Sequence, residues 1–173
     1  MSLAIRAAQP GDLPAITAIY AHHVLTGTAS FETEPPDERE MRERFEAICD
    51  RGFPYVVAER DGRVAGYAYA SLYRGRVAYR YTLEDSIYVD PACARAGVGR
   101  ALLARLIADC EVSGARQLIA VIGGSDNVPS IRLHAEQGFE TVGILRAAGW
   151  KHGRWIDSVL MQRALGPGST SPP

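Results

Sequence analysis

Unbalanced charge is the first thing this chain lacks. Its 19 Lys and Arg face 20 Asp and Glu, for a net charge of -1, so nothing in the composition calls for nucleic acid or an anionic membrane as partner. A small molecule is the expected ligand. Cysteine is also scarce. Cys49, Cys93 and Cys110 are odd in number, far apart and without a Cys-x-x-Cys pair, which argues against a disulfide framework and a zinc site. They read as reduced thiols, with Cys110 on the core face of its helix. His22 and His23 are adjacent, whereas two ligands on one helix face stand three or four residues apart, so no metal is expected. No apolar run approaches the roughly 18 residues of a membrane span. The opening Met1-Ser2-Leu3-Ala4-Ile5-Arg6 has neither the basic region nor the apolar core of a signal peptide, and the cytoplasm is the expected compartment.

What is present is a chain of 173 residues, 47% apolar and 23% charged, long enough for one domain with a full core and too short for two ordinary ones. Its most informative stretch is Thr82 to Leu103. Leu83, Ile87 and Val89 are spaced by multiples of two, as in a strand, and Pro91 stops the ladder because it has no N–H to donate. After a turn, Val98, Leu102, Leu103, Leu106, Ile107 and Cys110 recur at helical spacing up to Gly114, a C′ glycine. Gly97 and Gly99 remove side chains where this helix begins. Unpaired N–H groups and the positive end of the helix dipole then lie open to an anion, between Arg95 and Arg100. The bland alternative is a tight turn. Neither nucleotide fingerprint fits: the third Rossmann glycine would fall on Leu102, and Gly99 is followed by Arg100-Ala101 rather than Lys-Ser/Thr.

Taken in order, Leu3 to Ala7 reads as a short strand. Asp12 then stands as N-cap before a helix carrying Leu13, Ile16, Ile19, Tyr20, His23 and Val24, which ends near Gly27. Thr28 to Glu32 is a loop that either fills a surface groove or lines a pocket. Asp37 with Glu40 has the form of a capping box for a charged helix ending near Asp50. Pro54 to Glu59 and Val64 to Tyr73 are strands joined by a hairpin turn at Asp61-Gly62. Tyr73 to Tyr81 packs three arginines and three tyrosines into nine residues, a surface loop or an anion-binding pocket wall. Gln117 to Ile122 is a strand, and Gly123 to Asn127 a turn opening a helix to about Gln137, capped by Gly138. Phe139 to Leu145 and Trp155 to Met161 are late strands with Gly149 to Arg154 between them. Residues 166–173 cannot bury a core and are expected to be disordered. The pattern describes a mixed α/β domain of one sheet with helices on its faces.

Two motifs in this order, Ala94-Arg95-Ala96-Gly97-Val98-Gly99 and Asn127-x-x-Ser130-x-x-Leu133-His134-x-x-x-Gly138-Phe139, resemble the GNAT superfamily of acetyl-CoA-dependent N-acetyltransferases over residues 3–163 or so. The closer resemblance is to its phosphinothricin and methionine sulfoximine acetyltransferases. It is carried by Thr28 to Glu32, Tyr81 to Val89, Ile119 to Asn127 and Gly149 to Asp157. The resemblance implies a single α/β GNAT-type domain over 1–165, a mixed, mostly antiparallel sheet of about seven strands flanked by about four helices, and central strands that splay after a bulge.

It further implies acetyl-CoA as co-substrate in the opening of the sheet, its pantetheine arm pairing with the backbone near Tyr88 and Val89. The pyrophosphate would rest on Arg95, Ala96, Gly97, Val98, Gly99 and Arg100, with Asn127 and Ser130 toward the pantetheine or adenosine side, where simple N-capping is the other reading. The pattern departs at Ala94, where the superfamily usually has Gln or Arg. Glu84 matches the subfamily's proposed general base; Asp85 alternates to the other face. His134 stands where many members carry a Tyr acid, as acid or as structural residue. Phe31, Glu32, Tyr73, Arg74, Arg76, Tyr79 and Thr82 would form the substrate wall, with Arg80 as a further cation. Gly149 to Trp155 is a homodimer contact or a solvated hairpin. The implied activity is acetylation of a small amino-acid-like amine. The alternatives are the same chemistry on a peptide N-terminus or another amine, and a non-catalytic acyl-CoA-binding module.

Overall fold

Strands β2 (Tyr55–Arg60) and β3 (Arg63–Leu72) are largely apolar on both faces, the mark of a sheet covered on both sides, and β4 (Thr82–Val89) pairs beside β3. A computed structural model of the chain describes residues 3–173; Met1 and Ser2, with which the expected domain begins, lie outside the described residues. With β1 (Leu3–Ala7), β5 (Gln117–Gly123), β6 (Glu140–Lys151) and β7 (Arg154–Ala164), these strands form one seven-stranded sheet in the order β1-β2-β3-β4-β5-β7-β6. Among the described residues, only the β4–β5 pair is parallel; the others are antiparallel.

One face is covered by α3 (Val98–Val112), whose Val98, Leu102, Leu103, Leu106, Ile107 and Cys110 are buried as their spacing predicts. Each fully buried leucine contributes about 1.5–3 kcal/mol. The other face is covered by α1 (Leu13–Thr26) and α2 (Glu38–Cys49), which pack on a tyrosine cluster of Tyr20, Tyr55, Tyr67 and Tyr88. The fourth helix, α4 (Val128–Glu136), follows β5. Among the described residues, no helix is long and apolar enough to cross a membrane.

The hairpin at Asp61-Gly62 has positive φ at both residues, 52° and 76°, the conformation a right-twisted two-residue turn requires. The same arrangement recurs at His152 and Gly153, φ 51° and 71°. The segment Gly149 to Arg154 is therefore the tip of one long β6–β7 hairpin rather than a connector between two short strands. A register shift between Leu145 and Gly149 carries β6 past its expected end. Three further expectations are corrected. Asp12 does not cap α1: a single 3-10 turn at Pro10–Asp12 runs directly into the helix, and the carboxylate accepts from both Arg6 terminal nitrogens and from Gln9 N–H, each at 2.8 Å. Asp37 accepts from Glu40 N–H at 2.8 Å, but Glu40 pairs with Arg44 instead of closing a capping box. And β4 runs in unbroken register along β3, from Leu72↔Leu83 to Gly66↔Val89, with no bulge. At the chain end, Leu165 is fully buried, and Arg116 donates to Gly168 O and Pro172 O, at 3.2 and 2.8 Å.

The loop after α1 is fitted onto β5 and β6 with no room to spare. A Cβ built on Gly123 would lie 1.8 Å from Thr28 O, and one on Gly149 would lie 2.3 Å from the Phe31 ring. Lys151, 2% exposed, donates from Nζ to Ser30 O at 2.7 Å, Thr28 Oγ1 donates to Gly123 O at 2.9 Å, and Tyr20 Oη and Ser30 Oγ share a hydrogen bond of 2.9 Å. Gly123→Ala should therefore cost about 1–3 kcal/mol in urea unfolding, while Gly75→Ala, whose Cβ meets nothing within 4 Å, should stay within about 0.5 kcal/mol. Equal costs would contradict this packing.

Candidate active site

The central strands part. β4 pairs with β5 only from Thr82↔Gln117 to Asp85↔Ala120, although β4 continues to Val89 and β5 to Gly123. The direction of each β4 amide follows from its neighbours. Thr82 O accepts from Tyr73 N–H and Asp90 N–H donates to Ala65 O, so even-numbered residues bond toward β3. Tyr81 O accepts from Arg116 and Gln117 N–H, so odd-numbered residues bond toward β5. Beyond Asp85, the N–H and C=O of Ile87 and the N–H of Val89 thus face an open edge. His23 Nε2 donates to Val89 O at 2.8 Å and closes that edge's last acceptor; burial lowers the His23 pKa, against the pull of Val89 O.

The parting opens a cleft of about 1210 Å³. Of the residues expected to hold the cofactor, Tyr88, Val89, Arg95, Gly97, Val98, Gly99, Arg100, Asn127 and Ser130 all line it. Tyr88 does so with its amide turned toward β3 and its ring packed edge-on against Tyr20 at 4.9 Å, so the open amides near it belong to Ile87 and Val89. Gly97 is left-handed, φ 78°, just ahead of α3. The first bond into the helix is Ala101 N–H to Gly97 O, which leaves Val98, Gly99 and Arg100 N–H without an intrahelical acceptor. A Cβ on Gly97 would meet nothing within 4 Å, and one on Gly99 would press on Leu133 at 3.3 Å. Two expected contacts are already committed within the chain: Ala96 N–H donates to Cys93 O at 3.3 Å, and the Arg100 guanidinium pairs with Glu136. Asn127 caps α4, its side-chain oxygen accepting from Ser130 N–H at 3.4 Å.

Glu84 and Asp85 stand where β4 and β5 separate, one on each face of the sheet. Burial raises the Glu84 pKa above the ordinary carboxylate value, the Asp85 charge adds to the rise, and the Arg74 guanidinium opposes it. A half-buried carboxylate held in that way is suited to taking a proton near neutral pH. His134 is 4% exposed and has both ring nitrogens engaged: Nδ1 at 2.7 Å from Ser130 O and Nε2 at 3.0 Å from Asp85 Oδ2.

The expected substrate wall is only partly brought to this cleft. Phe31 lines it. Glu32 instead pairs with Arg44 at 2.7 Å. Tyr73, Arg74, Arg76 and Tyr79 form the connection from β3 to β4, at the closed end of the strand, and do not line the cleft. Tyr73 and Tyr79 pack edge-on at 5.9 Å with Arg74 over Tyr73, and Arg80 covers Tyr81 at 4.6 Å. Thr82 borders a separate, smaller pocket beside residues 168–173. Sequence reading missed His23 and Ile87 as edge residues. Ile87 was foreshadowed by the strand alternation; nothing local in the sequence ties His23 to Val89.

Comparison with known proteins fits this geometry. The profile of the Acetyltransferase (GNAT) family matches residues 16–139. The chain belongs to the GNAT acetyltransferase family. A phosphinothricin N-acetyltransferase of Alcaligenes faecalis is 59% identical over 169 residues, covering 98% of this chain and 86% of that protein. An L-methionine sulfoximine/L-methionine sulfone acetyltransferase of Salmonella typhimurium is 39% identical over 163 residues, covering 94% and 95%. Among solved structures, a GNAT superfamily phosphinothricin acetyltransferase from Sinorhizobium meliloti, in complex with acetyl-CoA, superposes with a TM-score of 0.97 at 49% identity, covering 100% of this chain and 94% of that one. The parted strands and glycine-flanked helix start are thus features of a GNAT fold.

His134 gives this site a pH signature. Burial alone would lower its pKa, but the Asp85 hydrogen bond and charge and the Ser130 carbonyl together raise it above the ordinary value. A folded-state pKa above the unfolded one means the pair's stabilisation is complete below about pH 6.5 and is lost as pH rises through the folded value. The stability cost of His134→Gln in urea unfolding should therefore shrink as pH climbs above about 6.5; a cost that grows with pH would contradict it.

Proposed function

We propose that this protein transfers the acetyl group of acetyl-CoA to the primary amine of a small amino-acid-like substrate of phosphinothricin, methionine sulfoximine or methionine sulfone type. The observation that carries this reading is the coincidence, in one cleft, of an open β4 edge, an anion seat at α3 and a half-buried carboxylate where β4 and β5 meet. The relatives' named activities supply the substrate class. The transferase unit spans residues 1–165, with 166–173 as an appendage, and the cytoplasm, where acetyl-CoA is available, is its compartment. A free edge on β6 with exposed Val142, Ile144, Leu145 and Trp150, beside exposed Trp155 on β7, fits a homodimer.

The residues present suit acetyl-CoA. Ile87 and Val89 would pair with the pantetheine arm as an added strand, and the free N–H groups of Val98, Gly99 and Arg100 would hold the pyrophosphate, aided by the Arg95 side chain. Ala94 supplies no side-chain contact, so the seat depends on main chain. At pH 7 the substrate amine is an ammonium. Glu84 takes one proton, directly or through water; the nitrogen lone pair then forms a bond to the thioester carbonyl carbon. The carbonyl oxygen gains negative charge, which the Ile87 N–H, the free β4 amide nearer Glu84, is placed to stabilise. When the C=O bond re-forms, the C–S bond breaks and sulfur leaves with the pair. Two protons have left nitrogen; CoA thiol retains one and solvent receives the other through Glu84.

A thiol-release assay over a panel of amines tests the reading: turnover of phosphinothricin or methionine sulfoximine is expected. Turnover only of peptide N-termini would move the function to the peptide class, and acetyl-CoA binding without transfer to any amine would leave a binding module. Glu84→Gln should lower kcat by about 10²–10⁴-fold at neutral pH and leave acetyl-CoA affinity unchanged; an unchanged kcat removes Glu84 from the mechanism. Gly99→Glu places charge and bulk in the anion seat and should abolish acetyl-CoA binding by calorimetry, while intact binding would refute that placement.

A further inference from the structure

Of the backbone groups that β4 turns to the opening, the Ile87 N–H and C=O and the Val89 N–H have uses in the reading above: the first faces the thioester oxygen, the others the pantetheine amides. Val89 O has none. It is nevertheless taken, because His23 Nε2 lies 2.8 Å from it. A carbonyl oxygen only accepts, so Nε2 carries a hydrogen. Burial holds the His23 pKa below the ordinary imidazole value, against the pull of Val89 O, so at pH 7 the ring is neutral and its single hydrogen is committed to this bond.

The imidazole is delivered by a firmly seated helix. Buried Ile16, Ile19, Tyr20 and Val24 fasten α1 to the sheet on either side of His23, and the His23 ring rests tilted against Tyr88 at 5.5 Å. His23 lines the same cleft as Ile87, Val89 and the start of α3. Just past Val89 the edge ends: the Asp90 amide turns to Ala65 O, and Pro91 opens a 3-10 turn. Val89 O is thus the last group that β4 presents to a ligand, at the point where a docked arm must leave the strand for the free amides of Val98, Gly99 and Arg100. An acceptor there is open to solvent while the cleft is empty and is sealed from it once the arm is in place. Left without a donor, a carbonyl costs far more in the second situation than in the first.

We propose that His23 is a positioning residue for acetyl-CoA: by donating to Val89 O it satisfies the edge acceptor from which the pantetheine arm turns away, and so fixes where the arm leaves β4. This rests on the acetyl-CoA reading above. The value of the bond is conditional on the ligand. In the free protein, water can replace the imidazole on Val89 O and little is lost. In the complex no water reaches that oxygen, and the full cost of its desolvation falls on the bound state. The acetyl group and Glu84 lie toward the closed end of the β4–β5 ladder, away from Val89, so the loss falls on binding and spares the chemical step.

Calorimetry and steady-state turnover test this together. His23→Ala should raise the acetyl-CoA Kd and KM by about 5–100-fold, with the loss falling on KM rather than kcat and the urea midpoint of the free protein close to wild type. His23→Gln, whose side-chain amide can donate to the same oxygen, should recover most of the affinity. An acetyl-CoA Kd close to wild type in His23→Ala would overturn the proposal, as would an affinity that falls only in step with urea stability, which would make the bond merely structural. A second measurement needs no variant to fold. In histidine-labelled wild-type protein at pH 7, NMR should find the His23 hydrogen on Nε2 both without and with acetyl-CoA, exchanging more slowly in the complex. Loss of that hydrogen bond on binding would mean that the ligand displaces His23, and would overturn the proposal as well. Failure of the acetyl-CoA reading is distinguishable: wild-type protein would then bind no acetyl-CoA, and both would fall together, whereas tight wild-type binding unaffected by His23→Ala removes this proposal alone.

Discussion

Everything functional in this structure depends on a ladder that stops early. β4 and β5 share only the pairs from Thr82↔Gln117 to Asp85↔Ala120, and the strands then diverge with their backbone groups unspent. An open strand edge inside a protein is costly unless something satisfies it. Here the chain itself meets a small part of that demand, through His23 on Val89 O, and leaves Ile87 and the Val89 amide for a ligand. The register along β3 is unbroken, so the opening does not come from distorting β4. Beside it, the loop from Thr28 to Phe31 is seated tightly on Gly123 and Gly149 and pinned by Lys151.

The same junction sorts the charges. Because side chains alternate along a strand, the neighbours Glu84 and Asp85 enter different environments. Glu84 enters a half-buried space facing the tyrosine-rich side, where desolvation raises its pKa. Asp85 is enclosed against α4 and paired with His134. Two adjacent acids on one strand thus have opposite surroundings, one half-buried and facing the cleft, the other enclosed and paired with a histidine. The start of α3 lies further along the opening, with the Val98, Gly99 and Arg100 amides free of intrahelical acceptors.

Much of this was legible in the sequence because it is local. The helix face from Val98 to Cys110, the glycines at 97 and 99, the turn at Asp61-Gly62 and the alternation that separates Glu84 from Asp85 all follow from spacing and conformational preference. The resemblance to GNAT acetyltransferases then supplied the splayed pair and the place of Glu84. What could not be read is long-range. The Tyr73 to Tyr79 arginine-tyrosine cluster read equally as a surface loop or a pocket wall by composition; the fold places it between β3 and β4, packs Tyr73 against Tyr79 and Arg74, and brings the Arg74 charge within reach of Glu84. Glu32 was drawn away by Arg44, and the Asp12 carboxylate by Arg6. The length of β6 depended on a bulge at Leu145 to Gly149. His134 was placed by motif, but its acid partner sits 49 residues earlier, and only the fold brings them together.

The central claim is that the free β4 edge is the docking strand for acetyl-CoA. Residue-resolved amide hydrogen exchange, with and without acetyl-CoA, tests it most directly. The account predicts that the ligand slows exchange at Ile87 and Val89, which face the opening, and at Val98, Gly99 and Arg100 at the start of α3, while Tyr88, already bonded toward β3, changes little. Unchanged exchange at Ile87 and Val89 with acetyl-CoA bound would contradict it.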